Sequence, residues 1–96
     1  MANILVIGAG VMGTTMTIPA TDNGHKSTIV GTPLDQDLIK NIKEKSYHPK
    51  LDIILTDTIG KNYYEVDQND FDQSDLIIIG VSSKGINWFI DFINNF

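Results

Sequence analysis

The run Ile4-Leu5-Val6-Ile7 passes directly into Gly8-Ala9-Gly10-Val11-Met12-Gly13, and this junction constrains the chain more than any other segment. Four consecutive apolar residues predict a short strand, Asn3 to Ile7, covered on both faces, because a strand with one wet face would alternate apolar and polar. Gly8, Gly10 and Gly13 then spell G-x-G-x-x-G. The first glycine permits a tight turn off the strand, the second lets a phosphate approach the backbone, and the third lets helix and strand pack closely. Amides of the first helical turn are then free to face an anion, with the positive helix end adding roughly 0.3 to 1 kcal/mol per favourable charge. No acid occurs from Met1 to Ala20, so an anion would meet no local repulsion. The spacing alone would also suit a glycine turn serving only packing; the strand before it and the helix after it favour the cradle. No Lys follows Gly13, which disfavours a triphosphate-hydrolysing loop.

The rest of the chain repeats the strand-then-helix pattern. A helix is expected from Val11 to Asn23 with Met12, Met16 and Ala20 on its apolar face, a bend near Thr15 to Pro19, and Gly24 as its stop. Ser27 to Gly31 reads as a second strand. Asp35 can then cap a helix from Gln36 to Lys45, striped by Leu38, Ile39 and Ile42. Ser46 to Lys50 reads as loop, since a residue before proline avoids the helical region. Asp52 to Leu55 reads as a short third strand. Gly60 to Ser74 is polar and acidic, with a helical turn at Asp70-Phe71-Asp72, and Leu76 to Ile79 is the strongest strand. From Gly85 onward Ile86, Phe89, Ile90 and Ile93 keep helical spacing. Strands alternating with helices predict an α/β fold, a Rossmann-like doubly wound parallel sheet of about four strands. At its switch point the first and fourth strands lie side by side, which sets Gly80-Val81-Ser82-Ser83 beside Gly8-Ala9-Gly10.

Composition narrows the function. A chain of 96 residues holds one domain, and 42% apolar with 20% charged residues suits a globular one. Twelve acids against seven bases give a net charge of -5, which removes the electrostatic basis for nucleic-acid or anionic-membrane binding. There is no Cys, so disulfides, thiolate chemistry and Cys-based metal sites are excluded. No apolar run approaches the ~20 residues of a membrane span. With no basic region and no cleavable apolar segment after Met1, a cytoplasmic protein is expected.

An Asp or Glu near the end of the second strand often binds the adenosine ribose of a dinucleotide. Asp35 is the acid near enough for that, and it also suits helix capping. A 2′-phosphate would want a guanidinium fork, and all seven bases are Lys, so NAD is favoured over NADP. Lys26 or Lys40 could supply a point charge. Ser82 and Ser83 could bond the pyrophosphate or the nicotinamide ribose, or cap the helix after Gly85. His25 reads as a turn residue, His48 as loop packing rather than an acid-base group, and Lys84 as a solvated lysine. The acids Asp67, Asp70, Asp72 and Asp75 lack the closing Glu of a calcium loop and read as a solvated face. Trp88 and Phe89 read as core or contact surface.

The stretches Asn3 to Thr14, Asp22-Asn23-Gly24-His25, Val30-Gly31-Thr32, Tyr47-His48-Pro49-Lys50-Leu51 and Gly80-Val81-Ser82-Ser83 together resemble the N-terminal domain of the NAD(P)-dependent glycerol-3-phosphate dehydrogenases. The resemblance covers most of the chain, in order; the glycine motif is general, whereas Gly24-His25 and His48-Pro49-Lys50-Leu51 are more particular. It implies hydride exchange between a nicotinamide cofactor, NAD or NADP, and the small-molecule pair glycerol 3-phosphate and dihydroxyacetone phosphate. It implies that Gly8, Gly10, Val11, Met12 and Gly13, with Ala9 among them, hold the pyrophosphate. Thr32, next to Gly31, would lie near the adenosine ribose, and Ser82 and Ser83 would line the nicotinamide side. Many members carry an aromatic residue where Met12 stands and Arg where Thr32 stands. Members are much longer, with catalytic lysines beyond the matching region, so residues 1–96 are expected to form a cofactor-binding domain whose catalytic partner domain is missing. A fragment of that kind would expose apolar surface near Trp88 to Phe96 and tend to associate, a homodimer being the simplest outcome. The opening also fits hydroxyacyl-CoA dehydrogenases, ketopantoate reductases or a stand-alone nucleotide-sensing module.

Overall fold

The computed structural model describes residues 2–96. The first strand, β1 (Asn3–Ile7), leads through the glycine turn into two short helices, α1 (Val11–Thr15) and α2 (Thr17–Asp22), and then β2 (Lys26–Gly31). Helix α3 (Gln36–Lys45) follows, then a hairpin of β3 (Tyr47–His48) and β4 (Ile53–Ile54), and then β5 (Thr58–Asn62). After a 3-10 turn at Tyr63–Glu65 come α4 (Gln68–Asp72), β6 (Leu76–Ile79), a 3-10 turn at Ser83–Gly85 and α5 (Ile86–Ile93). The main sheet has the order β5-β2-β1-β6 and is parallel throughout. The expected doubly wound α/β architecture is therefore present, with β1 between β2 and β6.

Strand β1 is central because both its faces are apolar. Ile4 and Val6 pack with Ile29, Leu38, Ile39, Ile42 and Leu55 on one face; Leu5 and Ile7 pack with Val30, Val66 and Phe92 on the other. Each such aliphatic side chain withdrawn from water contributes about 1.5 to 3 kcal/mol. The stripe expected on α3 is the buried one. Trp88 and Phe89 pack against the second cluster, with Trp88 stacked on Phe92 at 5.0 Å between centroids, as core residues do. Leu76, Ile77 and Ile79 on β6, with Ile86, Ile90 and Phe96, form exposed apolar surface. Among the described residues, no helix is long and apolar enough to cross a membrane.

Three expectations are corrected. Met12 and Met16 are exposed, and the face turned inward carries Gly13, Thr14 and Thr17 instead. The helix crosses the sheet too closely for long side chains, and the threonine hydroxyls satisfy themselves locally, Thr17 donating to the Thr14 carbonyl at 2.7 Å. The helix does break where Pro19 requires it: the ring would collide with the carbonyl four residues back, so α1 ends at Thr15 and Pro19 falls in the first turn of α2, where a missing amide proton is harmless. Secondly, the third strand of the main sheet is Thr58–Asn62, not Asp52 to Leu55, whose core Ile53–Ile54 pairs antiparallel with Tyr47–His48. Thirdly, the segment Ser46 to Lys50 is accordingly not all loop. Gly24, at φ 85, ends α2 as expected, and α4 contains the expected turn at Asp70 to Asp72.

Candidate dinucleotide-binding site

Parallel register brings three strand ends to one level, with Ile7 paired to Val30 on one side and Ile79 on the other. The Gly8 amide donates to the Val30 carbonyl at 2.7 Å and the Gly80 amide to the Ile7 carbonyl at 2.8 Å, which locks the ends together. Gly8 has φ 113, a conformation costly for any side-chain-bearing residue. A Cβ on Gly8 would stand 2.8 Å from the Gly80 carbonyl oxygen, and one on Gly13 would stand 2.7 Å from the Gly8 carbonyl oxygen. Gly8 and Gly13 thus serve the turn and the packing. Gly10 differs, since nothing lies within 4 Å of where its Cβ would be.

That open flank belongs to a cleft of about 480 Å³ lined by Gly8, Gly10, Val11, Met12, Thr32, Leu34, Asp35, Lys50, Ile79, Gly80, Val81, Ser82 and Gly85. The amides of Gly10, Val11, Met12 and Gly13 are engaged by no other described residue, as expected at a helix start without a side-chain cap. A second hollow of about 500 Å³ opens at the other ends of the strands, beside Lys26, Ser27, Thr58 and Asp70. The first is the candidate site, because ligands of open parallel sheets bind outside the carboxyl ends of the strands at the switch point.

Of the residues expected in the site, Gly8, Gly10, Val11, Met12, Thr32 and Ser82 line the cleft. Gly13 is buried and outside the lining. Gly31 is a packing position, where a Cβ would meet Ile39 at 2.3 Å. Ser83 is exposed in the 3-10 turn outside the lining, and Ser82 caps nothing with its side chain, leaving its hydroxyl to the cleft. Ala9 is fully buried and held on both sides: its amide donates to Asp35 Oδ2 at 3.2 Å, and its carbonyl accepts from His48 Nε2 at 2.8 Å and Thr14 Oγ1 at 3.2 Å.

Asp35 stands at the N-cap position of α3 and lines the cleft, but its side chain is spent on a different contact. The carboxylate makes no side-chain cap for α3; its Oδ2 instead accepts from the Ala9 amide, the Thr32 amide at 3.0 Å and the Thr32 hydroxyl at 2.9 Å. Thr32-Pro33-Leu34-Asp35 has the Thr-x-x-Asp spacing of a capping box, a sequence signal that could have indicated this local closure. Lys26 lines the opposite hollow and Lys40 a shallow depression on α3, so neither reaches the cleft. Lys50, on the turn between β3 and β4, is the cation that lines it among the described residues. The stretch His48-Pro49-Lys50-Leu51 carried part of the resemblance but did not place either residue at the cleft, because the hairpin's position is tertiary.

No family model matches the chain. It is 29% identical over 85 residues to the NADP(+)-dependent glycerol-3-phosphate dehydrogenase of Archaeoglobus fulgidus, an alignment covering 86% of this chain and 24% of that protein. The chain resembles the nucleotide-binding domain of a glycerol-3-phosphate dehydrogenase. It spans about a quarter of the length of that dehydrogenase. The alignment and the parallel sheet agree with the resemblance read from the sequence.

Proposed function

We propose that this chain is the NAD(P)-binding domain of an oxidoreductase resembling glycerol-3-phosphate dehydrogenase, in which the cofactor exchanges a hydride with glycerol 3-phosphate or dihydroxyacetone phosphate. The observation that carries the reading is the open flank of Gly10 beside four unengaged amides, at the carboxyl end of the central strand. A diphosphate would suit that place, because amide donors could satisfy its oxygens and nothing lies within 4 Å of where a Gly10 Cβ would stand. Gly10, Val11, Met12 and Gly13 would hold the diphosphate through their backbone, with Lys50 as a neighbouring cation. Thr32 would stand at the adenosine ribose and Ser82 on the nicotinamide side, as the family pattern implies. A bound nicotinamide supplies the hydride acceptor or donor. The groups that act on the substrate would come from outside residues 1–96.

NAD is the expected cofactor. The end of β2 presents the Thr32 hydroxyl and the Asp35 carboxylate rather than a guanidinium fork, and a carboxylate there repels a 2′-phosphate. The NADP dependence in the name of the Archaeoglobus enzyme makes NADPH the proper comparison. Fluorescence titration of the purified chain with NADH, NADPH and ADP-ribose tests the reading. Saturable binding supports it, tighter NADH than NADPH supports the preference, and no binding at millimolar cofactor overturns both.

A further inference from the structure

We propose that His48 is a positioning residue for the glycine turn, aiming the Gly10 amide into the cleft by holding the opposite end of the same peptide group. The inference rests on the cofactor-binding reading for its functional consequence, though its structural content stands apart from it. His48 is fully buried, yet it comes from the β3–β4 hairpin, which pairs with nothing in the main sheet. Its Nε2 lies 2.8 Å from the Ala9 carbonyl oxygen, 39 positions away in sequence. A carbonyl oxygen only accepts, so Nε2 carries the proton; Nδ1 then accepts the Leu51 amide at 3.3 Å. One ring therefore ties the hairpin's own turn to the glycine turn.

The consequence follows from peptide geometry. The Ala9 carbonyl and the Gly10 amide belong to one planar trans group, and their bonds point in opposite directions. Fixing the oxygen toward His48, beneath the turn, fixes the Gly10 N–H away from it, on the side lined by the cleft. The adjoining peptide is restrained as well, because Asp35 Oδ2 accepts the Ala9 amide. A donor set before its ligand arrives loses less freedom on binding. Polarisation of the carbonyl by the imidazole also strengthens the Gly10 amide as a donor.

The test uses the 96-residue chain as wild type, His48→Ala, His48→Gln and His48→Asn. Each is assayed for NADH affinity, urea stability, and the position and exchange rate of the Gly10 amide resonance without cofactor. Gln can present a donor nitrogen near the Nε2 position, whereas the amide nitrogen of Asn stops short of it. Expected are a shifted, faster-exchanging Gly10 amide and NADH affinity weakened by about 2- to 10-fold in His48→Ala and His48→Asn, the scale of one lost hydrogen bond, with substantial recovery of both in His48→Gln. If His48→Ala does not fold, the contrast between Gln and Asn decides. The proposal is overturned if the Gly10 amide stays at its wild-type position in the Ala or Asn variant, or if Gln behaves like Asn at equal stability. Should wild type bind no NADH, the cofactor reading falls, while the Gly10 resonance still tells whether His48 sets that peptide.

Discussion

Gly80 meets Gly13 so closely that a Cβ on Gly80 would stand 2.8 Å from the Gly13 Cα. The turn after β1 and the turn after β6 therefore touch through backbone alone. Alanine at Gly80 must push the turns apart, and alanine at Gly13 would drive its Cβ to 2.7 Å from the Gly8 carbonyl oxygen, so Gly13→Ala and Gly80→Ala are each expected to destabilise the chain by about 1 to 3 kcal/mol, the usual cost of forcing atoms into a packed contact. Urea denaturation measures this, and wild-type stability in both would contradict the contact.

Gly10→Ala separates binding from folding. Gly10 has φ -67 and ψ 176, backbone that alanine adopts readily, and nothing crowds its Cβ. Stability should change by less than about 1 kcal/mol. NADH affinity should fall on the order of tenfold, equivalent to about 1.4 kcal/mol, because the new methyl occupies the diphosphate's approach. Unchanged affinity in a folded Gly10→Ala protein would place the ligand elsewhere.

Lys50 is exposed and touches the cleft rather than the core. Lys50→Ala should leave the urea midpoint unchanged, weaken NADH binding and flatten its dependence on salt, since an exposed charge acts through a screened field. Calorimetric titration at two ionic strengths checks both effects. An equal salt slope in wild type and variant would remove Lys50 from the cofactor's surroundings.

Gly31 presses on α3: a Cβ there would lie 2.3 Å from Ile39 Cγ1. Gly31→Ala alone should destabilise strongly, as should Ile39→Ala alone, by about 2 to 5 kcal/mol for the cavity it leaves. Together the two should cost less than their sum, because the added methyl enters the space vacated by Ile39. A double-mutant cycle in urea measures the coupling, and strict additivity would refute the contact.

Two carboxylates tie the segment after β5 to its surroundings. The Lys43 ammonium, with the Asn62 amide, holds Glu65 down at about 2 from an ordinary 4.5. Partial burial pushes the Asp70 carboxyl up, but Lys61 at 2.8 Å and the Asp67 amide bring it net below the ordinary carboxylate range. Depressed carboxylates favour the folded state above their unfolded pKa and lose that contribution as pH falls through the folded value. Stability should therefore decline from about pH 4.5 toward about 2, and less steeply in a Lys43→Met, Lys61→Met protein. Identical pH slopes in wild type and variant would refute this assignment. The Glu65 pair is exposed, so added salt should shrink its share.

How much of this was legible in the sequence depended on whether a residue's role is local. β1, β6 and α3 were readable because Ile4 to Ile7 and Leu76 to Ile79 are unbroken apolar runs and Leu38, Ile39 and Ile42 form a helical stripe, each a local pattern. β5 was not, since Thr58-Ile59-Gly60-Lys61-Asn62 has no apolar run: it is an edge strand whose Gly60 lies flush against Ile42 and whose Lys61 is drawn off to Asp70. The spacing of Met12 and Met16 marked an apolar face correctly but not its direction, which is set by how closely the helix crosses the sheet. The glycine turn announced itself, whereas the braces on Ala9 come from 26 and 39 positions away, where no local pattern reaches.

The parallel register has a further consequence for how such a chain can change over time. Strand starts gather at one end of the molecule and strand finishes at the other, and the glycine turn, Thr32 and Ser82 all lie at the finishes. Connections at the opposite end, such as the turn at Gly24 and the approach to β6 at Gln73 and Ser74, can gain or lose residues while the finishing end stays the same. Drift in length therefore has a permitted pole, and the candidate cleft occupies the other.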